Sequence, residues 1–254
     1  MNADAVLARE IATEVGVALL EARDDLFARH DRDGIKDAAD ALAQDLIARR
    51  LAEHRPLDAI LSEEALDDLS RLTADRVWIV DPLDGTREYA RAGRVDWAVH
   101  VALWDAGAQG ITAAAVDLPA QGLTLSTVGA PLPLPEASQR ADGRVRIVVS
   151  QSRTPVVLED VADAMPIEVV LWGSAGAKAA RVITGDVDAY LHDTSLNEWD
   201  AAAPIGVALA HGLHVSHLDG APVEFNRPRP VSGSLLICRP ELAEALLAAV
   251  RVNS

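Results

Sequence analysis

The run Val77-Trp78-Ile79-Val80 passes without a break into Asp81-Pro82-Leu83-Asp84-Gly85-Thr86, and no other stretch restricts the fold as tightly. Four consecutive apolar residues, three of them β-branched, predict a short buried strand. Two carboxylates then arrive at the strand end, a place where side chains are presented in fixed positions. Pro82 stiffens the turn, so Asp81 and Asp84 can converge on one point, with the Leu83 carbonyl offering a third oxygen. Hard oxygen donors of this kind suit Mg²⁺. Gly85 permits close backbone approach, and a helix starting near Thr86 would aim N–H groups at an anion beside the metal. The competing reading is an ordinary turn, because Asp, Pro and Gly are the residues from which turns are made.

The flanking sequence predicts where this turn sits. From Ala3 to about Ala28, apolar residues such as Val6, Ile11, Val15 and Leu19 recur at helical spacing. A polar turn from His30 to Gly34 leads to a second helix over Ala38 to His54, which Pro56 ends. Short apolar runs follow at 59–61, 77–80, 98–104, 111–116 and 123–127, read as a mostly antiparallel sheet. Residues 130–143 hold Pro131, Pro133 and Pro135 among small and polar side chains, which is linker composition. A domain boundary is placed there, giving an N-terminal α+β domain over 1–140 and a C-terminal α/β domain over 141–254. Strands and helices alternate after the boundary, and two layered domains leave a cleft between them.

Charge and composition narrow the partners. A formal net charge of -16 over 254 residues repels nucleic-acid polymers and anionic membranes, so a phosphorylated substrate needs local cations. Cys238 is the single cysteine, which excludes an internal disulfide and points to the cytoplasm. No apolar run reaches the roughly 18 residues of a membrane span.

Two further segments add acids. Leu61-Ser62-Glu63-Glu64 places carboxylates at the end of another apolar run, and Glu198-Trp199-Asp200-Ala201-Ala202-Ala203-Pro204 places Asp200 at a helix start. Alone, Asp200 reads equally well as a helix cap. Together with Asp81-Pro82-Leu83-Asp84-Gly85-Thr86, these segments closely resemble the inositol monophosphatase-like superfamily of Mg²⁺-dependent, Li⁺-sensitive phosphatases, in order and spacing over nearly the whole chain. Within it the sequence looks most like the CysQ group, especially actinobacterial members, through Arg76 to Asp81 and Gly173-Ser174-Ala175-Gly176-Ala177-Lys178. That group removes the 3′-phosphate from 3′-phosphoadenosine 5′-phosphate.

The resemblance implies a layered αβαβα fold, two or three Mg²⁺, a role in sulfate assimilation and a homodimer. It implies metal ligation by Glu63, Asp81, the Leu83 carbonyl, Asp84 and Asp200. It also implies that Asp40 works with Thr86 on the attacking water, and that Gly85 and Thr86 bind phosphate through backbone N–H groups. Ser150, Arg153, Gly176, Ala177, Lys178 and Asp193 fall on the substrate wall. The sequence departs from the group where Ser150-Gln151-Ser152-Arg153 replaces Ser-Arg-Ser-His, where His192 replaces an arginine, and where Asp37 replaces a Thr. These departures touch the substrate more than the chemistry, and inositol monophosphate or fructose 1,6-bisphosphate are the alternative substrates.

Three other readings weigh less. Haloacid-dehalogenase phosphatases carry Asp-x-Asp, and the Asp-x-x-Asp spacing here turns the second acid in another direction. Asp31-Arg32-Asp33-Gly34 hints at a calcium loop, but Arg29 stands at its first ligand position. His211, His214 and His217 suggest zinc, yet residues three apart on a strand point to opposite faces.

Overall fold

The computed structural model describes residues 2–129 and 143–251. The proline-rich segment and the boundary placed within it lie, apart from Gly143, outside the described residues.

The chain opens with two long helices, α1 (Ala3–Arg29) and α2 (Arg32–His54). Asn2 caps α1 by accepting from the Asp4 N–H at 3.0 Å. Asp31 caps α2 by accepting from the Gly34 N–H at 2.9 Å. The second helix therefore begins at Arg32, not at Ala38. The polar residues read as a turn and as a calcium loop are its cap and first turn.

A five-stranded sheet follows, in the spatial order β1 (Ala59–Ser62), β2 (Arg76–Asp84), β3 (Ala98–Asp105), β4 (Gly110–Leu118), β5 (Leu123–Ser126). The β1–β2 pair is parallel and the others are antiparallel. The short helix α3 (Thr86–Tyr89) sits between β2 and β3. The second sheet draws on β6 (Val145–Ser150), β7 (Ile167–Trp172), β8 (Ala189–Asn197), β9 (His214–Ser216) and β10 (Val231–Cys238), in the order β7-β6-β8-β10-β9. Among these strands lie α4 (Leu158–Ala164), α5 (Ala175–Ile183) and α6 (Glu198–Ala210), and α7 (Ala243–Arg251) ends the described chain.

Strand alternation sorts these elements into layers. On β2, Trp78 and Val80 face the α1–α2 layer, while Val77 and Ile79 face the layer of α5 and α6. On the second sheet, Val148, Tyr190 and Ile237 face that same central layer. Ile147, Leu191 and Cys238 face outward onto α4 and α7. The architecture is therefore helix, sheet, helix, sheet, helix, the αβαβα order expected from the sequence. Both sheets are covered on both faces, which is why their strands read as continuous apolar runs. Among the described residues no helix is long and apolar enough to cross a membrane.

Close packing of α1 on the first sheet depends on Gly16. A Cβ there would lie 2.0 Å from Asp117 Oδ2 and 2.6 Å from Pro119 Cγ. Gly16→Ala should therefore lower stability by ~1–3 kcal/mol in urea denaturation, although alanine is the better helix former. Unchanged or raised stability would show that the α1 contact is loose.

Candidate active site

The acids converge because β2 is irregular. Asp81 pairs with His100 and Asp84 with Ala98, so three steps on β2 oppose two on β3. This extra residue is a bulge, and it brings to one side two carboxylates that a regular strand would point apart. The Leu83 N–H bonds Asp81 Oδ1 at 3.0 Å and fixes the turn. Gly85 then takes φ 87°, in the left-handed region that glycine tolerates.

Asp200 arrives from α6. It stands in the first turn, where its Oδ2 accepts from the Asn197 N–H at 3.1 Å. The cap of α6 is Asn197, not Asp200, and Asp200 supports that cap from three residues on while also joining the cluster. Carboxylate oxygens of Asp81, Asp84 and Asp200 lie within 4.8 Å of one another. Glu63, from the end of β1, reaches the same cleft at its rim. The cleft holds about 510 Å³ and is also lined by Asp40, Thr86, Ser150, Lys178, Tyr190 and His192.

One carboxylate is anchored from the opposite layer. Asp84 Oδ2 accepts from the Ser174 hydroxyl at 2.5 Å and from the Gly176 N–H at 2.7 Å. His100 Nε2 lies 3.2 Å from the same oxygen without hydrogen-bond geometry, while Nδ1 faces the Trp199 carbonyl at 3.2 Å. Burial alone would raise Asp84, but His100, Lys178 and Ser174 outweigh it and hold the carboxyl at about 2. Its neighbours go the other way. Burial and the Asp84 charge push Asp81 well above the usual carboxylate range and Asp200 to about 6. Glu63 is solvent-exposed as a residue, but enclosure of its carboxyl tip and the nearby Asp200 and Asp84 push it to about 7.

Asp81 Oδ2 is buried and has no hydrogen-bond partner among the described residues. A buried carboxylate with an unsatisfied oxygen, in a cluster with two others, is costly unless a cation joins them. Hard oxygen donors at this spacing fit a divalent ion such as Mg²⁺.

The remaining predicted residues separate into those at the cleft and those away from it. Thr86 Oγ1 donates to the Leu83 carbonyl at 3.0 Å and lies 3.5 Å from Asp40 Oδ1, so that pair is assembled. Burial and Glu64 push Asp40 to about 7. Ser150 and Lys178 line the cleft, but Arg153, Gly176, Ala177 and Asp193 do not. The Gly176 amide is taken by Asp84, and the Ala177 amide by Ser174 Oγ at 3.0 Å. Asp193 is turned away and accepts from the Val156 N–H at 2.5 Å. Alternation along β8 explains this, since Tyr190 and His192 share the cleft face and Asp193 falls on the other.

Sequence reasoning missed His100, Tyr190 and the Arg71 clasp. Arg71 is buried and bonds Asp67, the Asn226 side chain and the Arg227 carbonyl. Glu198 takes the Asn226 and Arg227 N–H groups at 2.7 and 2.9 Å. A charged residue next to a ligand motif was the available signal at Glu198, whereas His100 was legible only through strand pairing. The three suspected zinc histidines have separate partners: His211 the Val207 carbonyl, His214 the Ser216 hydroxyl and His217 the Ser234 carbonyl.

A fold of this layering with a carboxylate cluster at a strand-end bulge defines a metal-dependent phosphatase class. The profile of the inositol monophosphatase family matches residues 3–254, and the chain belongs to that family. It is 46% identical over 260 residues to the 3′-phosphoadenosine 5′-phosphate phosphatase of Mycobacterium leprae, covering 98% of this chain and 93% of that one. It is 51% identical over 223 residues to the protein of the same name from Mycobacterium bovis, covering 84% and 81%. The crystal structure of CysQ from Bacteroides thetaiotaomicron superposes with a TM-score of 0.78 at 23% identity, covering 94% of this chain and 98% of that one.

The raised carboxylates give the metal-free protein a defined pH response. Asp40, Glu63 and Asp200 release protons in the unfolded chain near their ordinary values, but only at about 6 to 7 when folded. The folded state therefore holds more protons across that window, and stability falls as pH rises through it. Asp84, held low, is ionised throughout and adds no slope there. Melts in EDTA should show a lower melting temperature at about pH 7.5 than at about pH 5, and added Mg²⁺ should raise it more at the higher pH. A flat profile with no Mg²⁺ effect would contradict the cluster.

Proposed function

We propose that this chain is a Mg²⁺-dependent phosphomonoesterase that hydrolyses 3′-phosphoadenosine 5′-phosphate to AMP and phosphate. The observation that carries the chemistry is the clustering of Asp81, Asp84 and Asp200 oxygens within 4.8 Å, with Asp84 and Asp200 lining the cleft and a buried Asp81 oxygen left without a partner. The substrate follows from the names of the mycobacterial relatives, at 46% and 51% identity over most of the chain. Magnesium as the ion, lithium inhibition, a place in sulfate assimilation, the cytoplasm and a homodimer belong to the same proposal and rest on the family resemblance.

Glu63, Asp81, the Leu83 carbonyl, Asp84 and Asp200 would hold the ions. When bound, the metal supplies Lewis acidity and positive charge for the phosphoryl oxygens. Asp40 and Thr86 orient the attacking water and accept its proton at Asp40 Oδ1, the atom nearest the Thr86 hydroxyl. Gly85 and Thr86 present backbone N–H groups to the transferred phosphate. Because the attacking and leaving oxygens stand in line, the departing sugar faces away from Asp40. No residue needs to be phosphorylated.

Tyr190, His192 and Lys178 line the cleft from β8 and α5, and the acids Asp37, Glu64 and Glu88 line it too. The preference for the nucleotide over a polyol phosphate therefore rests on the mycobacterial relatives. Phosphate release should be measured with Mg²⁺ on 3′-phosphoadenosine 5′-phosphate, inositol monophosphate and fructose 1,6-bisphosphate, with and without Li⁺. The nucleotide should give the highest kcat/KM, and Li⁺ should lower it; a higher value for inositol phosphate would reassign the substrate while keeping the phosphatase. Asp84→Asn should lower kcat by roughly 100-fold or more, since it removes a charged ligand that two hydrogen-bond donors hold in place. Retention of most activity would remove the site.

A further inference from the structure

Of the two hydrogen-bond donors to Asp84, Ser174 is the one on a strained backbone. Its φ of 45° lies in the left-handed region, and a side chain stays there only where its surroundings hold it. Lys178 holds the turn from one side, its ammonium donating to the Gly173 carbonyl at 3.2 Å and the Ser174 carbonyl at 2.5 Å. Asp96 holds it from the other. Its Oδ2 accepts from the Gly173 N–H at 2.6 Å, joining the segment before β3 of the first sheet to the segment after β7 of the second. A Cβ on Gly173 would stand 2.6 Å from that oxygen and 2.6 Å from Glu88 Cγ, so the approach needs glycine.

A buried carboxylate needs a counter-charge, and Asp96 is buried. Arg94 supplies it: Nε donates to Asp96 Oδ1 at 2.6 Å, and Nη2 pairs with Oδ2. The same Nη2 reaches the Gln151 side chain at 3.1 Å, and the Gln151 N–H donates to the Trp172 carbonyl at 3.1 Å. One ion pair before β3 thus fastens both the Gly173 N–H and, through Gln151, the residue before it. Asp96 does not line the cleft. Its route to the acidic cluster runs through Gly173 to Ser174, whose hydroxyl donates to Asp84 at 2.5 Å.

We propose that Asp96, paired with Arg94, is a positioning residue for the metal site: it fixes the Gly173–Ser174 turn in the strained form that aims the Ser174 hydroxyl at Asp84. The inference rests on the metal-dependent phosphatase reading above. With the turn released, Asp84 loses one of the two hydrogen bonds that orient it, and the cluster binds a divalent ion less tightly.

Asp96→Asn tests this, since it keeps the shape but turns one acceptor oxygen into a donor that must face either Gly173 or Arg94. The Mg²⁺ concentration for half-maximal rate on 3′-phosphoadenosine 5′-phosphate should rise about tenfold or more, and Mg²⁺ affinity by calorimetry, read well below the melting temperature, should fall by the same factor. At saturating Mg²⁺, kcat should stay near its wild-type value. Ser174→Ala should weaken Mg²⁺ binding to a similar degree, and adding Asp96→Asn to it should cost little more, because both act through one hydroxyl. Arg94→Gln, at the partly exposed end of the pair, should shift Mg²⁺ affinity in the same direction and carries the test if Asp96→Asn does not fold. A lowered melting temperature with unchanged Mg²⁺ affinity in these variants would overturn the assignment, as would fully additive losses in the double variant. A wild-type protein that binds no Mg²⁺ would sink the metal-site reading, and the Asp96 assignment with it.

Discussion

A single carboxylate oxygen, Oδ2 of Asp84, joins the first sheet to the helix layer behind it. It accepts from the Ser174 hydroxyl and the Gly176 N–H at 2.5 and 2.7 Å, and His100 Nε2 stands 3.2 Å away without hydrogen-bond geometry. Each donor depends on a local detail. Ser174 adopts φ 45°, which few side chains tolerate, and its Oγ also caps α5 through the Ala177 N–H. Gly176 must lack a side chain, because a Cβ would stand 2.1 Å from His100 Nε2.

This anchoring makes the cluster possible without a metal in place. Three carboxylates within 4.8 Å of one another repel, and burial removes the water that would screen them. The buried Lys178 ammonium, and the His100 ring, which burial pulls down but Asp84 raises above its ordinary value, stand against that repulsion, and the raised Asp81, Glu63 and Asp200 relieve the rest by holding protons. The same arrangement is poised to exchange those protons for a divalent ion. The acidic pocket, strained Ser174 and orphaned oxygens are stored costs of the kind that functional sites carry.

Much of this was legible in the sequence, for reasons that can be traced to particular residues. The strand through Val77 to Val80 was clear because both faces are covered, leaving an unbroken apolar run. Asp81, Asp84 and Asp200 stood out because they adjoin an unbroken apolar run or a helix start and match a family motif, although β2 itself runs on to Asp84. The start of α2 was misplaced because Asp31 and Gly34 resemble turn residues as strongly as a cap and first turn. His100 and Tyr190 were not singled out, since their roles depend on strand partners and on burial that spacing alone does not reveal. Asp193 was placed on the wall through the family resemblance, whereas the two-residue period of β8 puts Tyr190 and His192 at the cleft. The Arg71 clasp joins positions more than 150 apart and leaves no local trace.

The central claim is that these carboxylates meet to hold a divalent cation. Mn²⁺ is a hard, oxygen-seeking stand-in for Mg²⁺ that can be located by anomalous diffraction. Crystals soaked in Mn²⁺ should show an anomalous peak in direct contact with Asp81, Asp84 and Asp200, drawing in the Asp81 oxygen that otherwise lacks a partner. Well-ordered carboxylates with no peak among them, or peaks only at other surface acids, would contradict it.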